Sequence, residues 1–100
     1  MDGIDFVIAA EQIIPETKAA PFWGQTARRV LAALLVAVDA KQPKNLVADT
    51  KAILSEGPAA VGAAIAGADS EAATFMDGGT GNVLLPIIWY HIDHVESLEP

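Results

Sequence analysis

His91, Asp93 and His94 are the residues whose types and spacing come nearest to chemistry. Two histidines at i and i+3 on a helix share a face, and with a third donor they could hold a metal ion. No Glu-x-x-His or His-x-x-Glu companion completes such a set here. His91 also falls inside the apolar series Leu84, Ile87, Ile88, His91, Ile92, Val95 and Leu98. The plainer expectation is therefore a hydrogen-bonded core histidine, with His94 at the edge of the stripe. A small helical metal-binding or enzymatic protein using His91, Asp93 and His94 stands as the alternative to the reading developed below.

The other reactive residue types give less. Ser55, Ser70 and Ser97 each sit at an expected helix end, where capping explains a serine. Asp69 and Glu71 would need a buried cleft and a raised pKa to act as an acid–base pair. The run DGGTGN, residues 77–82, invites a phosphate-loop reading, but the Lys and Ser/Thr that complete that motif do not follow it. It reads as a flexible loop. The chain has no cysteine, so thiolate chemistry and disulfides are excluded. No catalytic residue, cofactor or metal is assigned. Arg28 and Arg29, beside Trp23 and Gln25, form the one basic–aromatic cluster, suited to a phosphate or a partner's carboxylate. Trp23 itself is expected to fill the core.

The elements that would position these residues are helical. Apolar residues recur at helical spacing and no long apolar/polar alternation appears. Ile4–Ile14 reads as a first helix, with Asp2 and Asp5 at its positive end and Pro15 stopping it. Glu16–Ala20 is a connector. Pro21–Ala40 is the central helix: Pro21 opens it, and Ala27, Val30, Leu31, Leu34, Leu35 and Val38 form its main face. Ala32, Ala33, Val36 and Ala37 make the opposite side apolar too, so neighbours should cover it on several sides. Asn45 caps a third helix through about Ser55. Pro58 opens a fourth of small residues, PAAVGAAIAGA, and Asp69 or Ser70 caps a short fifth through Met76. The last element is Leu84–Leu98: either its regular helix begins at Pro86, the preferred reading, or Thr80 caps an earlier turn and Pro86 kinks it. The fold class is all-α: a bundle of about five to six helices around a central apolar one, in a single domain over residues 1–100.

Charge narrows the function. The net charge is −7. Residues 1–51 hold six acids and six bases, whereas residues 52–100 hold seven acids and no Lys or Arg. Such a surface repels phosphate backbones, so direct nucleic-acid binding is disfavoured and a protein with basic patches is the better partner. The longest apolar run, Val30–Val38, is far short of the roughly 20 residues that span a bilayer. The N-terminal MDGIDF is acidic where a signal peptide is positive. A soluble, cytoplasmic domain without membrane contact of its own is expected.

The run IIPETKAAPFWGQTARRVLAALL, residues 13–35, resembles the start of the all-alpha domain of type IV coupling proteins, the TraD/TraG-like ATPases of conjugation and type IV secretion. Pro21, Phe22, Trp23, Ala27, Arg28, Leu31, Ala32 and Ala33 match the family's Pro-Phe-Trp turn and the Ala/Leu helix after it. IIWYHIDHVESLEP, residues 87–100, is similar to the helix and Leu-acid-x-Pro segment that lead back to the ATPase domain. Residues 41–82 do not align, Ala20 stands where an acid is usual, and no ATPase motif is present. The resemblance implies a domain excised from, or inserted in, a larger ATPase anchored in a bacterial inner membrane. It implies a non-catalytic role in receiving protein cargo, a relaxase or adaptor proteins. Glu56, Asp69, Glu71, Asp77, Arg28 and Arg29 are the candidate partner-binding residues. A helical oligomerisation module, seamed by the fourth helix, is a further alternative.

Overall fold

The computed structural model describes residues 4–15 and 21–98. They form six helices: α1 (Phe6–Ile13), α2 (Pro21–Asp39), α3 (Leu46–Ser55), α4 (Pro58–Ile65), α5 (Ser70–Thr74) and α6 (Gly78–Ile92). No strand occurs among the described residues. The helix starts follow from short polar side chains placed to accept otherwise unpaired N–H groups. Asp5 accepts from Val7 N at 2.9 Å and Ile8 N at 3.2 Å, opening α1. Asn45 accepts from Ala48 N at 3.0 Å, opening α3. Asp69 accepts from Ala72 N at 3.0 Å, opening α5. Helix α4 starts differently, with Pro58 in its first turn behind Gly57, whose φ of +104° an L-residue resists.

Helix α2 packs against each of the other five. Ala27, Val30, Leu31, Leu34 and Leu35 are fully buried in it. Each Leu contributes roughly 1.5–3 kcal/mol by leaving water. Leu54 of α3, Val61 and Ile65 of α4, Ala72 of α5, and Leu84, Ile88 and Ile92 of α6 close round it as one cluster. Among the described residues no buried side-chain nitrogen or oxygen lacks a hydrogen bond; Thr50, fully buried, donates to Leu46 O at 2.7 Å.

The C-terminal third departs from expectation. DGGTGN is not a loop: α6 begins at Gly78, eight residues before Pro86, and Pro86 lies inside it. The glycine at position 81 serves close approach. A Cβ there would collide with the Met76 carbonyl and lie 2.9 Å from Pro58 Cβ. Without it, the first turn of α6 seats against the end of α5 and the start of α4. Pro86 offers no N–H to the Asn82 carbonyl, but Asn82 and Pro86 are both exposed, so water satisfies the group. The helix stops at Ile92, short of Leu98, so His94 lies in the turn beyond it. Val95 and Leu98 still pack against the core from beyond the helix. Helix α1 is shorter than Ile4–Ile14, because Asp5 caps it at Phe6. Asp2 and the connector Glu16–Ala20 lie outside the described residues.

Gly81→Ala should therefore cost about 1–3 kcal/mol by overpacking, a fall in Tm of roughly 10 °C. Gly79→Ala, with nothing near the added methyl, should be neutral or mildly stabilising. Thermal melts of the two variants check this; equal melting temperatures would mean the α5–α6 corner is loose.

Candidate functional site

One stripe of α2 borders open space. Gln25, Arg28, Arg29, Ala32, Ala33 and Val36 recur at spacings of three and one, a single helical stripe, and together they floor a groove of about 410 Å³. Val7 and Glu11 of α1 form one wall, and Ala68 and Asp69, at the entrance to α5, form the other. The floor is polar at the start of α2 and apolar beyond Arg29. Val7, Ile8 and Val36 are about half exposed around it. Neighbours cover α2 on several sides as expected: Ala32 and Ala33 are buried, and of the stripe's apolar residues only Val36 is about half exposed.

Two arginines fix the groove's polar end. Arg28 Nε donates to Ile14 O at 2.6 Å, capping the last turn of α1. No carboxylate among the described residues pairs with Arg28. Arg29 holds Asp69 in a two-pronged contact, Nε to Oδ2 at 2.8 Å and Nη2 to Oδ1 at 3.0 Å, and its Nη1 lies 3.4 Å from Glu71 Oε1. The hydrogen bond from Arg29, and then that from Ala72 N–H, hold the Asp69 carboxyl below its ordinary range. The hydrogen bonds to Asp69 and Glu71 in turn raise the Arg29 pKa. Asp69 thus ties α5 to α2 while capping α5, two structural jobs in one side chain.

The remaining sequence candidates lie elsewhere. Glu56 ends α3 and Asp77 precedes α6; both are exposed. They occupy one corner, since Pro58 and Met76 converge on Gly81. The structure therefore brings Arg28, Arg29, Asp69 and Glu71 together and leaves Glu56 and Asp77 apart from them. His91 is not a core residue: it is partly exposed, with Tyr90 edge-on at 5.1 Å. His91 and His94 line a small hollow with Gln12 and Ser97. Among the described residues no group of three or more His, Cys, Asp or Glu side chains is placed to hold a metal. Trp23 is only partly buried against the core, edge-on to an exposed Phe22 at 5.1 Å.

A family model, the type IV secretion-system coupling protein DNA-binding domain, matches residues 2–82. The chain belongs to this family. The match takes in residues 41–82, where the resemblance found no alignment, and stops before the second anchor at 87–100. No curated protein and no solved structure matches the chain. Among the described residues no helix of this coupling-protein domain is long and apolar enough to cross a membrane.

The depressed Asp69 pKa gives a signed expectation. The stabilisation is complete above the unfolded carboxyl's pKa and is lost as pH falls through the lower folded value. Asp69→Asn keeps a good cap acceptor but no charge. It should melt below the parent at pH 7, and the gap should close below about pH 4. Asp69→Ala should lose about 1 kcal/mol more, as the cap goes too. Melts between pH 3 and 7 test this; an Asn variant as stable as the parent at pH 7 would mean the contact with Arg29 holds nothing.

Proposed function

We propose that this domain is the non-catalytic recognition module of its coupling protein: it docks protein cargo, a relaxase or an adaptor, and the parent ATPase does the work of transfer. The observation that carries this reading is where the positive charge is used. Arg28 is bonded to Ile14 O, Arg29 to Asp69 and Glu71, and Lys51 Nζ donates to Asp93 O at 2.8 Å. Lys41 and Lys44, on the turn between α2 and α3, are exposed. A duplex contact that neutralises several phosphates needs a row of outward bases. Among the described residues the surface offers two uncommitted lysines on one turn against an acidic remainder. The family's description names DNA, and direct DNA contact by this chain is the second reading, which family membership favours and the charge opposes.

Binding of a purified relaxase or adaptor of the same transfer system, followed by surface plasmon resonance between about 50 and 300 mM salt, separates the two. Protein docking predicts affinity that falls with salt. It also predicts severalfold weakening in the double variant Glu56→Gln/Asp77→Asn, whose side chains hold no base among the described residues. A labelled duplex should show no binding at about 150 mM salt. Binding of the duplex with an unchanged protein affinity in the double variant would reverse the assignment.

A further inference from the structure

We propose that the Asp77–Gly78 pair is a site of spontaneous covalent modification, where the chain converts to isoaspartate and the α5–α6 corner loosens with age. The inference is independent of the docking reading. The chemistry needs only water. The Gly78 nitrogen attacks Cγ of the protonated Asp77 carboxyl and a C–N bond forms. The Cγ–OH bond breaks, and the hydroxyl leaves with the nitrogen's proton as water, closing a succinimide ring. Water then reopens the ring. Opening at the side-chain carbonyl restores aspartate. Opening at the main-chain carbonyl leaves Gly78 joined through Cγ, so the main chain runs through Cβ and is one atom longer. Mass and charge are unchanged.

Both reacting groups are free to do this. Asp77 is exposed and precedes α6, yet its carboxylate makes no capping hydrogen bond and pairs with no base among the described residues. Gly78 has no side chain to crowd the ring, and nothing lies within 4 Å of where a Cβ would stand. As the first residue of α6 its N–H has no carbonyl to donate to within the helix, so attack by that nitrogen gives up no helical bond. Asp69–Ser70 is the contrasting pair. The Asp69 carboxylate accepts two hydrogen bonds from Arg29 and one from Ala72 N–H, and all three must open before it can reach the next nitrogen. The consequence at position 77 is structural. The added main-chain atom falls between Met76 and the first turn of α6, where Gly81 seats against the Met76 carbonyl and Pro58 with no room to spare.

The test holds the intact chain at physiological temperature for several weeks. Isoaspartate is read by labelling with a protein-isoaspartate methyltransferase and S-adenosylmethionine. It is placed by digestion with Asp-N protease, which cuts before aspartate but not before isoaspartate, and mass spectrometry. Asp2–Gly3, the chain's other Asp-Gly pair, reports that the conditions support the chemistry. Isoaspartate should accumulate at position 77 about tenfold or more faster than at position 69, whose carboxylate is held. Conversion should be faster at about pH 5 than at about pH 8, because the protonated carboxyl is the form that loses water. Asp77→Glu should abolish the signal at that position, since its extra carbon makes the five-membered ring impossible. The variant should still fold, as Asp77 makes no cap. The converted chain should melt about 4 °C or more below the fresh one, while Asp77→Glu aged in the same way keeps its Tm. No isoaspartate at position 77 while Asp2 converts, or equal rates at positions 69 and 77, overturns the proposal. So does a rate that rises from pH 5 to pH 8, or a converted chain that melts with the fresh one.

Discussion

The exclusion of water from α2 is the constraint from which the rest of the architecture follows. A helix that carries Val30, Leu31, Leu34, Leu35 and Val38 on one face and four further apolar residues on the other has no stable exposed state. With no other helix longer than 15 residues, covering it takes the chain in pieces. Five helices lean on it from different directions: α3, α4 and α6 each contribute two or three large buried side chains, α1 two buried alanines with Ile14 just beyond its end, and α5 a single buried alanine. The short helices are the solution to wrapping a rod: a longer helix would pass tangentially and leave the rod's flanks wet. The cost is a large number of helix ends, and the caps at Asp5, Asn45 and Asp69 are how the chain meets it.

Electrostatics follow the same geometry. The two arginines of α2 are engaged by neighbouring helix ends, which present a carbonyl and carboxylates that accept from them. Arg28 satisfies the end of α1, and Arg29 anchors the start of α5. Residues 52–100 bring acids and no bases, so once these arginines and Lys51 are committed the outside is left negative. The acidity of the surface follows from composition, and the fastening decides which bases remain uncommitted on it. It is also why the choice between protein and DNA as partner turns on where each base is spent and not on the net charge alone.

The features legible in the sequence were those with local causes. A cap followed by an apolar stripe marks a helix start wherever the capping residue and the stripe adjoin, and α1, α3, α4 and α5 begin at or within two residues of where that logic puts them. The start of α6 was illegible because its cause is not local. A run of three glycines and an asparagine has poor helix propensity, and only the approach of Met76 and Pro58 to position 81 explains why the chain coils there. His91 does lie on the apolar stripe, between the buried Ile88 and Ile92, yet its side chain is partly exposed, with Tyr90 edge-on to it. Glu71 and Asp69 were legible as acids, but their commitment to Arg29, 40 residues away for Asp69, was not.

The groove illustrates how a gap can be read only after its walls are known. The stripe Gln25, Arg28, Arg29, Ala32, Ala33, Val36 is visible in the sequence as a helical face that passes from polar to apolar. Nothing in its pattern says whether it is covered, since an Ala/Val surface suits a buried contact as well as an open one. What decides is the reach of the neighbours. Helix α1 is fastened at its end by Arg28, and α5 at its start by Arg29, so the two arginines that lie on the stripe also hold apart the walls that flank it. The same side chains therefore create the opening and charge its polar end. Closing it by letting α1 and α5 meet would break both anchors and strand the Ile14 carbonyl and the Asp69 carboxylate, a worse outcome than leaving Val36 half exposed. The half-exposed end of the stripe is thus a consequence of how the two neighbouring helices are fastened.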